Sequence, residues 1–313
     1  MPELRAAGQV VTVAAAANLL DSLLDSGIKV PYSCRAGSCH ACIVRCVAGE
    51  LQDNQPQALD AQSRAQGWRL ACQCQVMGDL SVELYDPSKQ ATRAAISACD
   101  WLSAEVLRLR LIPEKPVVYR AGQHALLWSA QGVARPYSFA SVPDVDPWLE
   151  FHIDCRHSGA FSDAARLLSV GESLHVGVVS GGELRYEPDW QERPLILLAA
   201  GTGLAPLYAV LRDALQHNHQ AKIRLIHSAH DAQALYLREP LQTLAANTPQ
   251  LEVQHVSAAE LPAALAQLRL VPRQTLALIC GKPGNVELFA RSLYMAGVPR
   301  NQTFSDLFLP HAQ

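Results

Sequence analysis

The feature that most restricts this chain is a crowding of cysteines: six of its nine lie between positions 34 and 74. Three form the run Cys34-Arg35-Ala36-Gly37-Ser38-Cys39-His40-Ala41-Cys42, a C-x4-C-x2-C spacing, and Cys46, Cys72 and Cys74 follow. Two irons bridged by two sulfides need four thiolates, three from one tight loop and a fourth from elsewhere, and this is the spacing of the plant-type [2Fe–2S] loop. Ala36, Gly37, Ser38 and Ala41 are small enough to bring backbone N–H groups close to the sulfurs, where they help to set the potential. A structural zinc site would show C-x2-C knuckles in pairs, and only one stands here. The odd cysteine count argues against a disulfide framework.

With 313 residues the chain has room for two or three domains. Hydrophobic residues make up 49 % and charged residues 18 %, enough apolar material for buried cores. The net charge of −3 comes without any block of like charges, so nucleic-acid binding through bulk electrostatics is not expected. The uncharged stretch 194–211 contains Gly201-Thr202-Gly203 and Pro206, and reads as strand, turn and helix, not as a membrane span. Ahead of the apolar run 10–20, Glu3 cancels Arg5, so no signal peptide is expected and a cytoplasmic location is.

The pattern divides the chain into three. Near the N-terminus a strand over 9–13 precedes a helix with Leu19, Leu20, Leu23 and Leu24 on one face, Asn18 as its N-cap and Gly27 as its stop. A strand over 80–84 closes this unit, and the polar stretch 85–90 reads as a linker. From about 93 to 189 the period is two. Leu107, Leu109 and Leu111 alternate with arginines, and Leu149, Phe151, Ile153 and Cys155 alternate with Glu150, His152 and Asp154. Such strands predict an antiparallel sheet or barrel with one face buried, interrupted by a short helix over 162–168. From 190 onward apolar strands (195–200, 223–228, 251–257, 276–280) alternate with helices (204–217, 235–246, 261–268, 286–296), the pattern of a parallel α/β sheet. Such sheets bind ligands at the carboxyl ends of their strands. Two glycine-bearing turns lie there, Gly201-Thr202-Gly203-Leu204-Ala205-Pro206 and Cys280-Gly281-Lys282-Pro283.

Residues 1–86 resemble a plant-type ferredoxin domain. The order of motifs (cysteine loop, Arg135-Pro136-Tyr137-Ser138, Gly-Thr-Gly-x-Ala-Pro, Cys-Gly-x-Pro) resembles the three-domain [2Fe–2S]/FAD/NAD(P)H reductases of the ferredoxin–NADP reductase superfamily, the reductase components of bacterial multicomponent oxygenases. The resemblance implies a multidomain α+β and α/β protein. Its parts would be a β-grasp ferredoxin-like domain (1–86), an antiparallel β-barrel FAD domain (93–189) and a parallel α/β NAD(P)-binding domain (190–313).

It also implies roles. Cys34, Cys39, Cys42 and Cys72 would hold the cluster, Cys72 being selected by its family distance to the strand that follows Asp79; Cys46 and Cys74 are left without an assigned role. Arg135 would pair with the flavin pyrophosphate, Tyr137 pack on the isoalloxazine, Ser138 approach its N5, and Gly159 and Ser162 sit at a phosphate. Val179-Ser180-Gly181-Gly182 departs from the family's Gly-Pro-x-Gly turn, which leaves the pocket for the distal half of FAD undefined. Gly201, Thr202, Gly203 and Pro206 would bind the dinucleotide, Cys280 and Gly281 the nicotinamide, and Asp231 a ribose hydroxyl, favouring NADH over NADPH. Asp306 and Phe308 would complete the hydride-transfer site, with Ser138, Cys280 and Asp306 as its catalytic residues. The implied activity takes a hydride from NADH to FAD and passes single electrons through the cluster to a protein acceptor, a terminal oxygenase. A deoxysugar dehydratase is the alternative acceptor. A non-catalytic redox module with Cys46 and Cys74 as responsive thiols is a reading of another class.

Overall fold

Three sheets follow one another along the chain in the computed structural model, which describes residues 1–309. The first contains β1 (Glu3–Ala6), β2 (Gln9–Thr12), β3 (Ile43–Asp53), β4 (Trp68–Leu70) and β5 (Cys74–Leu84), in the order β2-β1-β5-β3-β4. β1 and β5 are parallel and the other pairs antiparallel. Helix α1 (Leu19–Asp25) lays Leu19, Leu20 and Leu23 into the core of this unit. Each buried leucine is worth roughly 1.5–3 kcal/mol. Asn18 accepts the Asp21 N–H at 3.2 Å, and the chain leaves the helix through Gly27 at φ +76°, with Ile28 N–H returning to the Leu23 carbonyl at 3.0 Å. β1 is absent from the expected elements because four residues carrying only Leu4 and Ala6 are too short to show alternation. A short helix α2 (Ala61–Ala65) follows β3.

Residues 85–90 are docked rather than a free linker. Pro87–Gln90 form one helical turn, α3, and the Tyr85 ring stacks on Trp128 of the next sheet at 5.3 Å. That sheet comprises β6 (Thr92–Trp101), β7 (Val106–Pro113), β8 (His124–Trp128), β9 (Ala134–Ser138), β10 (Leu149–Asp154) and β11 (Ser173–Ser180). Its order is β10-β7-β6-β11-β8-β9, antiparallel throughout, and a bridge between Phe139 and Phe151 joins the two edges into a barrel. Leu107, Leu109, Leu111, Phe151 and Ile153 fill it, as the alternation requires. Helix α4 (Ala160–Ala165) starts and ends earlier than expected. The expectation of one solvated face fails on β10: Glu150 and His152 are 5 % and 3 % exposed, because the third unit covers the outside of that strand.

The third sheet is wholly parallel, in the order β14-β13-β12-β15-β16. In chain order it runs β12 (Leu195–Ala200), α5 (Leu204–Gln216), β13 (Ile223–Ala229), α6 (Arg238–Ala246), β14 (Leu251–Ser257), α7 (Leu261–Ala266), β15 (Leu276–Gly281), α8 (Pro283–Met295) and β16 (Thr303–Leu307). β12 is buried on both faces, with α5 and α6 packed on one side and α7 and α8 on the other. α6 begins later than expected because Leu237 turns left-handed at φ +55°, and α8 begins earlier because Pro283 suits the first helical turn. Among the described residues no helix is long and apolar enough to cross a membrane.

Candidate functional site

The four thiols expected to hold the cluster converge as two pairs. Cys34 and Cys39 hydrogen-bond each other, and so do Cys42 and Cys72. Among the described residues no three His, Cys, Asp or Glu side chains close on one point as ligands of a single ion. Two pairs are what a binuclear centre with two protein ligands per iron requires. Donors already point at the sulfurs: Ala36 N–H and Cys39 N–H lie 3.3 and 3.4 Å from Cys34 Sγ, and Gln73 Nε2 lies 3.4 Å from Cys72 Sγ. The thiol of Cys39 and these amides hold Cys34 well below the ordinary thiol range, and the thiol of Cys42 does the same for Cys72. The donor set fits a [2Fe–2S] cluster. Cys74 is fully enclosed at the start of β5, and burial pushes its thiol up to about 12, so it makes a poor thiolate ligand. Cys46 is half-buried on β3, less enclosed than a core thiol.

The cluster loop packs directly on the barrel. Cys39 and Ala41 share an apolar contact with Leu126, Trp128 and Ala134 of β8 and β9. On β9, Arg135 Nη1 donates to the Tyr32 carbonyl at 3.2 Å and to the Ala134 carbonyl at 2.8 Å. The ring of Tyr137 lies 5.0 Å from that of Phe161 at the start of α4, and Ser138 is buried opposite His124. Arg135, Tyr137 and Ser138 thus bring a guanidinium, an aromatic ring and a hydroxyl onto one strand, a donor set that fits a dinucleotide flavin. The α4 terminus is less open than expected. The Asp163 carboxylate accepts the Gly159 N–H at 3.1 Å and the Ser158 hydroxyl at 2.5 Å, while the Ser162 hydroxyl donates to the His157 carbonyl at 3.1 Å. An incoming phosphate would have to displace Asp163.

At the parallel sheet the two glycine turns meet. A Cβ at Gly203 would collide with the Cys280 carbonyl, so the 201–203 turn can lie against the end of β15 only because that residue is glycine. Gly201 takes φ +56°, Thr202 is partly exposed and Pro206 is buried in the first turn of α5. Cys280 is fully enclosed, and burial holds its thiol protonated. β16 runs beside it with Asp306 opposite Cys280, and Phe308 N–H is tied to the Gly281 carbonyl at 2.9 Å. Burial lifts the Asp306 carboxyl to about 6. Asp231 accepts the Gln233 and Ala234 N–H groups at 2.8 and 2.9 Å, and its other oxygen lies 3.1 Å from His230 Nε2.

Two groups of residues escaped the sequence reading. One is His124, buried on β8 with its Nε2 2.9 Å from the Ser180 hydroxyl. The other is a buried polar chain that runs from Arg110 through Glu150, His152 and Tyr236 to the barrel–nucleotide interface. His227 stands edge-on to Tyr236 at 5.2 Å, and its Nε2 lies 3.2 Å from the Gly201 carbonyl. No local signal marked the chain on β10, because Glu150 and His152 alternate with Phe151 and Ile153 as solvent-facing residues do.

Comparison with known proteins supports the fold and the family. Residues 4–77 match the 2Fe-2S iron-sulfur cluster binding domain family, and residues 197–291 match the oxidoreductase NAD-binding domain family. The chain is 31 % identical to reductase component 1 of the terephthalate 1,2-dioxygenase of a Comamonas species over 74 % of this chain and 71 % of that one. It is 29 % identical, over 93 % of both chains, to the ferredoxin–NAD(P)(+) reductase component of the naphthalene 1,2-dioxygenase/salicylate 5-hydroxylase systems of a Ralstonia species. The crystal structure of the Amycolatopsis cytochrome P450 reductase GcoB shares the fold over the whole of both chains, with a TM-score of 0.67 at 23 % identity. With its cluster loop, flavin barrel and nucleotide sheet in this order, the chain belongs to the iron–sulfur flavoprotein reductases of the ferredoxin–NADP reductase superfamily, the family of the reductase components of oxygenase systems.

Proposed function

We propose that this reductase oxidises NADH and delivers single electrons from its ferredoxin domain to an oxygenase component. The observation that carries the reading is the seating of the Cys34/Cys39 pair on β8 and β9, because β9 also carries Arg135, Tyr137 and Ser138. FAD and the [2Fe–2S] cluster, when bound, convert the electron pair brought by the nicotinamide into single-electron steps. The chain's own residues place those groups. Arg135 and Ser138 orient the flavin on β9, and Tyr137 packs against it. The 201–203 turn presents backbone N–H groups and the start of α5 to the dinucleotide, and Cys280 and Gly281, at the end of β15 against that turn, lie where the nicotinamide would reach. Asp231 and Glu105 flank His230 on one side and Arg156 meets it on the other, and the Asp231 carboxylate suits a ribose hydroxyl, which favours NADH. The Ralstonia relative, matched over 93 % of the chain, is named for oxygenase systems, which favours an oxygenase over a deoxysugar dehydratase as acceptor.

The test is an anaerobic NADH titration of the reconstituted protein followed by absorbance and low-temperature EPR. Uptake of about three electrons, with flavin bleaching and a rhombic reduced-cluster signal, is expected. A cluster that stays oxidised while the flavin bleaches would overturn the electron path.

Asp306 gives a second expected result. As the nicotinamide gives up its hydride its ring becomes positive, and a carboxylate nearby stabilises that charge. The ionised form prevails above the raised value of about 6. NADH oxidation by the wild type therefore rises as the pH is brought up through about 6. Asp306→Asn should flatten the profile and lower kcat by about ten- to a hundredfold. A variant that keeps the wild-type inflection would remove Asp306 from the site.

A further inference from the structure

The cluster loop and the exit strand of the ferredoxin unit converge on one side chain of the barrel, Trp128. It is the last residue of β8 and 3 % exposed, and it shares an apolar cluster with Leu126 and Ala134 of the barrel and with Cys39 and Ala41 of the cluster loop. The Tyr85 ring, where the chain leaves the ferredoxin unit, stacks on the indole with the two planes 15° apart. Tyr85 in turn meets Trp68 of β4 at 5.8 Å, so rings join Trp128 to the ferredoxin sheet. The barrel is shaped to hold the indole. A β-bulge breaks the register of β11 against β8 between Val176 and Val179, and bulges re-aim side chains. Within it, a Cβ at Gly177 would lie 2.9 Å from Trp128 Nε1, so the glycine leaves the space that the indole needs. Val178, the next residue, packs against both the ferredoxin core and the Trp128 cluster.

We propose that Trp128 is the positioning residue for the single-electron step: by packing with the cluster loop and with Tyr85 at once, it holds the ferredoxin unit against the strand that carries the flavin's partners. Trp128 pairs in register with Ala134, the residue before Arg135, so the side chain that seats the loop is fixed to that strand. The step moves one electron, lost by the reduced flavin and gained by the oxidised cluster. Trp128 is neither oxidised nor reduced in it and sets only where the loop lies. Transfer between two centres falls steeply as they separate, so a loosely seated loop slows this step and leaves the earlier hydride transfer untouched.

The proposal rests on the reading that the cluster is held by Cys34, Cys39, Cys42 and Cys72 and the flavin by β9. Two measurements on the reconstituted full chain test it. Trypsin cleavage after Lys89, an exposed residue of the turn between Tyr85 and β6, reads the seating without any turnover. Trp128→Ala should be cut there several-fold faster than the wild type. Stopped-flow mixing with NADH separates flavin bleaching from cluster reduction. In Trp128→Ala bleaching should keep the wild-type rate, while cluster reduction should slow about 10- to 100-fold, the cost of a small misplacement. Trp128→Phe, which keeps a ring for Tyr85, should recover most of both readouts. Tyr85→Leu removes the stacking partner from the ferredoxin side and leaves the barrel intact, so it should shift both readouts in the same direction even if Trp128→Ala does not fold. Wild-type cluster reduction in both Trp128→Phe and Tyr85→Leu, with wild-type cleavage in Tyr85→Leu, would overturn the inference. So would a Tyr85→Leu protein whose flavin bleaching slows in step with its cluster. A wild type whose flavin bleaches while its cluster stays oxidised would instead overturn the reading on which the proposal rests.

Discussion

Cys72→Ser should lose the [2Fe–2S] spectrum and NADH-driven reduction of cytochrome c, whereas Cys74→Ser should keep both. The two cysteines stand two residues apart, and in the sequence only the family distance to the strand after Asp79 favours Cys72. The fold supports the same choice. Cys72 lies in the short turn before β5, is partly exposed and is paired with Cys42, while Cys74 is the first residue of the strand, with no exposed surface. A hard serine hydroxyl is a poor substitute for a terminal cysteine thiolate on iron. Loss of a group that hydrogen-bonds to a ligand already costs about 10–100-fold at a metal site, and loss of a ligand should exceed that. Iron and sulfide content, the visible spectrum and cytochrome c reduction at saturating NADH measure the outcome. A stable cluster in Cys72→Ser, with loss in Cys74→Ser, would exchange the two assignments. Cys46→Ser should resemble the wild type, since its thiol lies on β3 away from the two pairs.

What the sequence made legible is what short-range chemistry fixes. A cysteine loop must keep its spacing, because the distance between ligands is set by the metal centre. The strand Leu195–Ala200 is six apolar residues stopped by a glycine, and its bounds were readable to the residue. Gly203 and Gly281 mark the turns where backbone approaches backbone. What stayed hidden depends on how the three units dock. Glu150 and His152 alternate with Phe151 and Ile153 as solvent-facing residues should, and nothing local shows that another domain will cover them. His124 sits among the apolar residues of β8, and its partner Ser180 is 56 residues away in sequence. Residues 85–90 have linker composition, but their docking follows from Tyr85 meeting Trp128. Asp163 looked like an ordinary helix residue, yet it takes the donors at 158 and 159.

The hidden polar chain on β10 carries the second large expected effect. One Glu150 oxygen accepts from Arg110 Nε at 2.6 Å, and the other lies 3.0 Å from His152 Nε2. Burial alone would raise this carboxyl, but the bonds from His152 and Arg110 outweigh it and push its pKa down to about 2. A carboxylate with a depressed folded-state pKa stabilises the fold above its unfolded value, and that contribution is lost as the pH falls through the folded one. Glu150→Ala leaves Arg110 and His152 without their shared partner. Breaking such a buried pair costs about 3–5 kcal/mol. In urea denaturation the gap between wild type and variant should be constant from pH 8 to about 5, and narrow only as the pH falls from about 4.5 toward 2. A gap that closed between pH 8 and 6 would place the energy in a histidine titration instead. The damage should also reach the nucleotide site. His152 Nδ1 lies 3.2 Å from the Tyr236 hydroxyl, Tyr236 packs edge-on against both His152 and His227, and His227 meets the Gly201 carbonyl. Releasing His152 loosens the contact that holds the 201–203 turn against the barrel. Glu150→Ala should therefore raise KM for NADH several-fold at a temperature where the protein is still folded, and Tyr236→Phe, which removes only the hydroxyl, should raise it less. An unchanged KM in a folded Glu150→Ala protein would confine this network to stability and leave the placement of the nucleotide turn to Gly203 and β15.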